Sequence, residues 1–376
     1  MSNPPVKPAD VIGVPFLPPA RLSTSVTSVR AGIARLMGRT APPPVAILDS
    51  LFGILDHRVL VALCEVGVPD LLTGPVTPAE LARRTGSDPE RLERLLRLAA
   101  LNGWVRIDRR GRVRPTRITE FLRRDHPGGW RAWVDFIGGS EVTSAVAALS
   151  AGSPANDPFR AANGSPFFDW MAENPDRWAS FDGAMAAGAR MHALALLAAV
   201  EWSEHSRICD VGGGTGELLT TMLRYLPEAT GTVLDLPDVV ARAAQHDRLA
   251  ARAGDMFHEA PGGFDTYLLV NVLHDWGDDD VVTILSTVAA ACGSARIIVV
   301  DADHPSRPRD RIATGADVLM AALTGGGRER DRDALAALAA VAGLHLVRST
   351  PLASGDRAHE LRRRDPVPSS RTSTPT

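Results

Sequence analysis

Residues 208–216 read ICDVGGGTG: a short apolar run stops at an acid, Asp210, and passes into glycines at alternate positions, Gly212, Gly214 and Gly216. Nineteen residues after Gly216 a second apolar run, GTVLDL, ends in another acid, Asp235. A strand that stops at a glycine turn lets a ligand approach bare backbone, and an acid at the tip of the next strand holds the two hydroxyls of a ribose. The pair points to a nucleoside cofactor at the carboxyl edge of a sheet. A glycine turn that binds nothing is the plain alternative.

The glycine spacing separates two such cofactors. Dinucleotide sites use GxGxxG, in which the third glycine brings the next helix N-terminus against a pyrophosphate. Here Glu217 stands where that glycine belongs. An acid at the head of the motif and Glu217 at its tail repel a diphosphate. They suit a cofactor with a cationic centre and an amino-acid end, so the spacing favours S-adenosylmethionine over NAD.

The second half of the chain alternates regularly. Strands are predicted at 206–211, 231–236, 265–272, 295–301 and 344–349, with a shorter one near Leu249–Ala253 and helices between. That pattern gives an α/β, doubly wound, mostly parallel sheet whose ligand crevice lies at the carboxyl ends of the strands. Three further strand ends carry polar groups that would open onto this crevice. Asp255, Met256 and Phe257 follow Gly254, an acid and apolar side chains able to grip an adenine. NVLHDWGDDD presents His274, Asp275 and Trp276, and IIVVDAD presents Asp301. Asp255 or His274 alone would be an ordinary loop or capping residue; successive strand ends bearing ligands are harder to assign to chance.

At 376 residues the chain has length for two cores. A net charge of −3 argues against a dedicated polyanion binder. Cys64, Cys209 and Cys292 are odd in number and scattered, so neither a disulfide framework nor a metal centre is expected. No basic stretch leading into an apolar run opens the chain, and no apolar segment is long enough to span a bilayer. The expectation is a cytoplasmic protein.

Residues 1–44 are proline-rich and expected to stay outside a core, apart from an amphipathic helix at Ser25–Gly38 with Val26, Val29, Ile33, Leu36 and Met37 on one face. From Val45 to about Trp133 the pattern is helical. TPAELARRTG starts as a capping box at Thr77, with Glu80 three residues on. DPERLERLLRLAALNG is a further helix, with Leu92, Leu95, Leu96 and Leu98 on its buried face, and WVRIDRRGRVRPT a hairpin turning at Arg110-Gly111. Helix, turn, helix and hairpin make a winged helix. Its arginines would serve a DNA-reading face, but Glu90 and Glu93 on the would-be recognition helix favour a dimerisation or lid domain. Residues 134–203 concentrate aromatics (Phe136, Phe159, Phe167, Phe168, Trp170, Trp178, Phe181) in a chain that is 5% aromatic, and a few of these rings can line an apolar pocket.

Taken together, DVGGGTGE, LDLP, GDMF, LHDW, DVLM and GGGRERD resemble the small-molecule O-methyltransferases of the caffeate/acetylserotonin type and their bacterial secondary-metabolite relatives. The likeness runs from about Val45 to about Arg364. It implies a Rossmann-like class I methyltransferase sheet with an N-terminal all-helical winged-helix dimerisation domain, and a homodimer. It divides the chain into 1–44, a dimerisation and acceptor-lid domain at 45–190, a cofactor-binding catalytic domain at 191–365 and a tail at 366–376. By position it implies that Asp210, Gly212, Gly214 and Gly216 line the S-adenosylmethionine site, that Asp235 binds the ribose, and that Asp255, Met256 and Phe257 bind the adenine. His274 falls on the family's general base, and Asp301 and Glu329 on the two acids that flank it. Phe136, Phe181, Met185 and Asp275 are the expected acceptor-binding residues, for an aromatic small molecule rather than nucleic acid or membrane.

Two departures stand out. Val270 replaces a cation common in relatives, and Asp301 is shorter than the usual glutamate, which shifts the orienting role toward Glu329. Some relatives keep the cofactor but run hydroxylation, decarboxylation or pericyclic chemistry. The expected function is therefore methylation of a phenolic hydroxyl by S-adenosylmethionine, with a non-methylating family member and a winged-helix regulator as alternatives.

Overall fold

Pro43 and Pro44 open the first long helix, α1 (Pro43–Glu65), where their missing amides have no helical partner to lose. Its carboxyl half buries Val59, Val61, Leu63 and Cys64. Its amino half instead leaves Ile47, Leu51, Phe52, Ile54 and Leu55 exposed on this chain. In α2 (Pro78–Thr85) the Glu80 amide donates to Thr77 Oγ1 at 3.2 Å. The expected capping box is only half made, because the Glu80 carboxylate turns away to Arg83. Helix α3 (Pro89–Leu101) is capped by Asp88 and buries Leu92, Leu96 and Ala99. On its outer face Arg94 and Arg97 are bonded to Glu90 and Glu93. Strands β1 (Val105–Ile107) and β2 (Val113–Pro115) close the wing as an antiparallel pair.

The structure, a computed structural model, describes residues 8–13, parts of 18–40, and 41–150, 157–203, 205–243, 245–302 and 311–364. The helix expected at Ser25–Gly38 and the tail at 366–376 lie largely or wholly outside the described residues. No described helix is long and apolar enough to cross a membrane.

Helices α4 (Arg131–Ile137), α5 (Phe167–Glu173) and α6 (Pro175–Ala199) carry the aromatic cluster. The domain border expected at residue 190 falls inside α6. The amino half of α6 packs Phe181, Ala184 and Met185 into the aromatic cluster, and its carboxyl half packs Ala193, Ala195 and Leu196 against the sheet. One helix therefore belongs to both parts.

The sheet contains β3 (Arg207–Val211), β4 (Thr230–Asp235), β5 (Leu249–Ala253), β6 (Thr266–Val270), β7 (Arg296–Ala302), β8 (Leu344–Pro351) and β9 (Asp356–Arg363) in the order β5-β4-β3-β6-β7-β9-β8. The strands from β5 to β7 pair in parallel, and β9 runs antiparallel between β7 and β8. Crossover helices bury Leu219 and Met222 on one face and Val281, Ile284 and Leu285 on the other. Both faces of the central strands are thus covered, which is why ICDV, TYLLV and IIVV read as nearly continuous apolar runs. Strand β9 was not expected. Its sequence, DRAHELRR, is polar, yet it fills the centre of one half-sheet and buries Ala358, His359 and Leu361. The turn Ser354-Gly355-Asp356 after β8 was the available hairpin signal.

Candidate active site

Strand β3 lies mid-sheet, where the strand order reverses, and the loop that leaves it is the natural floor of a crevice. Gly212 and Gly214 hold φ of 70° and 60°, left-handed values that side chains resist. A Cβ on residue 212 would lie 3.0 Å from Val272 and 3.6 Å from the Met256 sulfur. The loops after β3, β5 and β6 therefore meet at this glycine. Asp235 is fixed by two backbone donors, Gly214 at 2.8 Å and Leu236 at 2.7 Å. Each carboxylate oxygen keeps a further lone pair for a ribose hydroxyl. Burial raises the Asp235 pKa, partly opposed by those two amide hydrogen bonds. The Phe257 amide donates to Asp255 at 2.9 Å, which sets the Met256–Phe257 step. Acid, bare backbone, thioether and ring along one edge fit an adenosine with an amino-acid end.

Asp210 has a different place. It is 2% exposed beneath the loop, and a Cβ on Gly213 would lie 2.5 Å from its Oδ2. Burial and the nearby Asp235 charge push its pKa up to about 8. It supports the glycine turn from below.

His274 sits on a single 3-10 turn, Leu273–Asp275, after β6. The chain reaches that turn through Asn271, which adopts φ 54°, a left-handed conformation asparagine tolerates better than most residues. The Asn271 amide still donates to Val300 of β7 at 2.8 Å, so the turn is anchored to the sheet. Nδ1 of His274 is 2.9 Å from Glu329 Oε1 and 3.9 Å from Asp301 Oδ1; Nε2 is 3.7 Å from Asp275 Oδ1. The shorter aspartate at 301 falls short of a hydrogen bond, and Glu329 is the acid bonded to the ring. Burial alone would lower the His274 pKa, but Asp275, the hydrogen bond and charge of Glu329, and Asp301 push it up to about 10. Burial pushes Asp275 up to about 6 against the opposing pull of His274, and it holds Asp301 well above the carboxylate range.

The aromatic cluster reaches this edge through the contact of Phe168 with Trp276. Phe181 packs edge-on to Phe136 and Phe167 at 5.2 and 5.4 Å. Phe136 is 1% exposed, so the structure places it behind the wall of this cluster rather than in it. Phe181 and Met185 are partly buried and face the same cluster as Leu319 and Met320. Trp276 joins the two halves: its ring meets Phe257 at 4.7 Å edge-on and lies parallel to Phe168 at 6.3 Å.

Three supporting contacts had no sequence signal of their own. Arg330 bonds the carbonyls of Leu273 and Trp276 at 3.0 and 2.6 Å and the Asp278 carboxylate at 3.0 Å, stapling the histidine turn. Asp317 accepts the Glu329 amide at 2.9 Å. Asp182 accepts from Trp178 at 3.0 Å and from Arg242 at 3.2 Å, tying α6 to the loop after β4. His274, Asp301 and Glu329 offer ligand atoms within 4.8 Å of one another, a spacing that a divalent cation also uses. The Glu329 hydrogen bond already engages Nδ1, however, while Nε2 lies 3.7 Å from Asp275 Oδ1. Such an arrangement takes a proton from an acidic hydroxyl.

Comparison with known proteins agrees with this geometry. Residues 144–345 match the O-methyltransferase domain family and residues 48–125 its dimerisation domain. The chain is similar to a mitomycin biosynthesis 6-O-methyltransferase of Streptomyces lavendulae, 33% identical over 84% of this chain and 93% of that protein. It is also 33% identical to the aclacinomycin 10-hydroxylase RdmB of Streptomyces purpurascens, over 82% and 87% of the two chains. Among solved structures it resembles CalO1, a methyltransferase in calicheamicin biosynthesis in its SAH-bound form, with TM-score 0.76 and 31% identity over 85% of this chain and 98% of that one.

Proposed function

The chain belongs to the O-methyltransferase family that joins a catalytic domain to a dimerisation domain, and on that premise we propose that His274 is the general base of methyl transfer to a phenolic hydroxyl. The protein is an S-adenosylmethionine-dependent O-methyltransferase and a homodimer, and the exposed apolar face of α1 is a surface such pairing would cover. The observation that carries the role of His274 is its 2.9 Å bond to Glu329, made at the same sheet edge as the Gly214–Asp235 cradle.

The cofactor supplies an electrophilic methyl group on a sulfonium. Asp235 would hold the ribose and Met256 and Phe257 the adenine, with the open backbone of Gly212 and Gly214 beside the methionine end. What remains for the chain is alignment and proton transfer, since an in-line displacement depends chiefly on placing the two reacting atoms. Glu329 holds the proton on Nδ1 and turns Nε2 toward the acceptor. A base raised to about 10 is matched to a phenol of pKa about 10, so the proton moves with little free-energy cost. The corresponding penalty is that only a small fraction of His274 is neutral at pH 7. Phe181, Met185 and Trp276 would clamp a flat ring, and an aromatic secondary metabolite fits that wall.

The likeness to a hydroxylase keeps one rival in view. Incubation with methyl-labelled cofactor and a hydroxynaphthalene separates the two readings: label on the acceptor oxygen supports methyl transfer, and label left on the donor while the acceptor changes supports the rival. His274→Gln should lower transfer on the order of 10²–10⁴-fold with cofactor affinity unchanged.

A further inference from the structure

We propose that Arg242 is a positioning residue for the cofactor: it is the counter-ion that lets two acids, Asp182 and Asp235, share the ribose end of the site. The inference rests on the assignment of Asp235 to the ribose and not on the role of His274.

Only Leu236, the helical turn Pro237–Val240 and Ala241 separate Arg242 from Asp235. The guanidinium reaches in two directions. One nitrogen donates to the Asp238 carbonyl at 2.7 Å, inside that turn, and Nε donates to Asp182 Oδ2 of α6 at 3.2 Å. The group lies 5.1 Å over the Trp178 ring, and the Trp178 indole donates to the other Asp182 oxygen at 3.0 Å. Both oxygens of Asp182 are therefore engaged, and its carboxylate is held at the loop that leaves β4.

The two acids act on each other. Burial raises the Asp235 pKa and the Leu236 and Gly214 amides lower it; beyond these, the Asp182 charge raises it and the Arg242 charge lowers it. Burial also raises Asp182, and the Arg242 charge is the first thing to oppose it. One cation thus keeps protons off both carboxyls. Charge matters to the task of Asp235, because a hydrogen bond to an ionised acceptor is roughly twice as strong as a neutral one. Without Arg242 the Asp182 charge goes unanswered, a proton settles on the pair, and the grip on the ribose hydroxyls weakens.

The same contact ties α6 to the loop after β4, and a tie makes a different forecast. If the tie alone mattered, loss of either partner would do equal harm. For a counter-ion the two losses act in opposite directions: removing Arg242 hurts, and removing Asp182 takes away the charge that Arg242 was needed to balance.

The test measures binding of the demethylated cofactor, S-adenosylhomocysteine, and of its counterpart lacking the 2′-hydroxyl, by isothermal titration. The proteins are wild type, Arg242→Met, Arg242→Lys, Asp182→Asn, and Arg242→Met combined with Asp182→Asn. Arg242→Met should weaken S-adenosylhomocysteine ~10-fold, the size of a shift of one pKa unit, and weaken the deoxy ligand less. Arg242→Lys keeps the charge and most of the affinity. Asp182→Asn should bind at least as tightly as wild type, and the combined variant should recover most of what Arg242→Met loses. Asp182→Asn as damaging as Arg242→Met, or a combined variant no better than Arg242→Met, overturns the inference. If Arg242→Met does not fold, Asp182→Asn decides by itself, since a tie predicts loss and a counter-ion predicts none. Equal affinity of the wild type for the two ligands would instead remove Asp235 from the ribose, and the inference with it.

Discussion

His274 Nδ1 and Glu329 Oε1 stand 2.9 Å apart across 55 positions of sequence. Three local devices make the approach. Asp317 pins the Glu329 amide, Arg330 binds the carbonyls on both sides of the histidine turn, and Gly327 lets the two loops touch. A Cβ at 327 would lie 2.5 Å from the His274 carbonyl oxygen. The run GGGRERD is thus a close-approach element that delivers one buried carboxylate to one imidazole.

Glu329→Gln keeps the shape of that contact and removes its charge. Turnover is expected to fall by up to about 10⁴-fold, the scale of losing the carboxylate that orients a catalytic histidine. Asp301→Asn, at 3.9 Å and without a hydrogen bond to the ring, should cost much less. Steady-state kcat for the two variants checks the order. A larger loss at 301 would reassign the orienting role.

Turnover should rise with pH. His274 is held up to about 10, so the neutral base accumulates as pH climbs through the alkaline range, and kcat/KM follows it. The charge and hydrogen bond of Glu329 both raise that pKa, so Glu329→Gln moves the rising limb to lower pH. Rate profiles between pH 6 and 10 decide this, and an unmoved limb would exclude His274 as the titrating base.

Asp210 is a buried acid whose pKa rises from 3.8 to about 8 on folding. The unfolded chain ionises first, so stability falls as pH rises from about 4 to about 8. At about 1.4 kcal/mol per pKa unit the loss is at most about 6 kcal/mol. Asp210→Asn should therefore raise the melting temperature of the cofactor-free protein at pH 8 and have little effect at pH 4. Thermal melts at the two values test the sign.

Gly327→Ala should push the Glu329 loop away from the histidine turn. Overpacking of this kind costs about 1–3 kcal/mol, and kcat should fall with it while cofactor affinity holds. Isothermal titration with the demethylated cofactor, run beside the rate assay, separates this outcome from general unfolding.

Phe52→Glu places a charge in the exposed apolar stripe of α1. A buried unpaired carboxylate is costly, so the dimer should dissociate at micromolar concentration. Sedimentation velocity reads the mass directly. A variant that stays fully dimeric would move the interface elsewhere.

Much of this architecture could be read from local pattern. The parallel strands announce themselves because burial on both faces demands continuous apolar runs, and the glycines at 212 and 214 because only bare backbone takes φ of 70° and 60° cheaply. Strand β9 stayed hidden because a polar run paired on both edges carries no such signature. Phe136 and Phe181 look alike in sequence, and only packing puts one behind the wall and the other in it.

The sequence by itself determined which chemical groups stand at the strand ends, because strand period, glycine conformation and residue type are local properties. Tertiary structure decided which acid serves His274. Side-chain length already leaned toward Glu329 over Asp301, but the distances of 2.9 and 3.9 Å depend on a loop held by Asp317 and Arg330. Hydrogen bonding falls off within a single ångström, so that decision belongs to packing between distant segments.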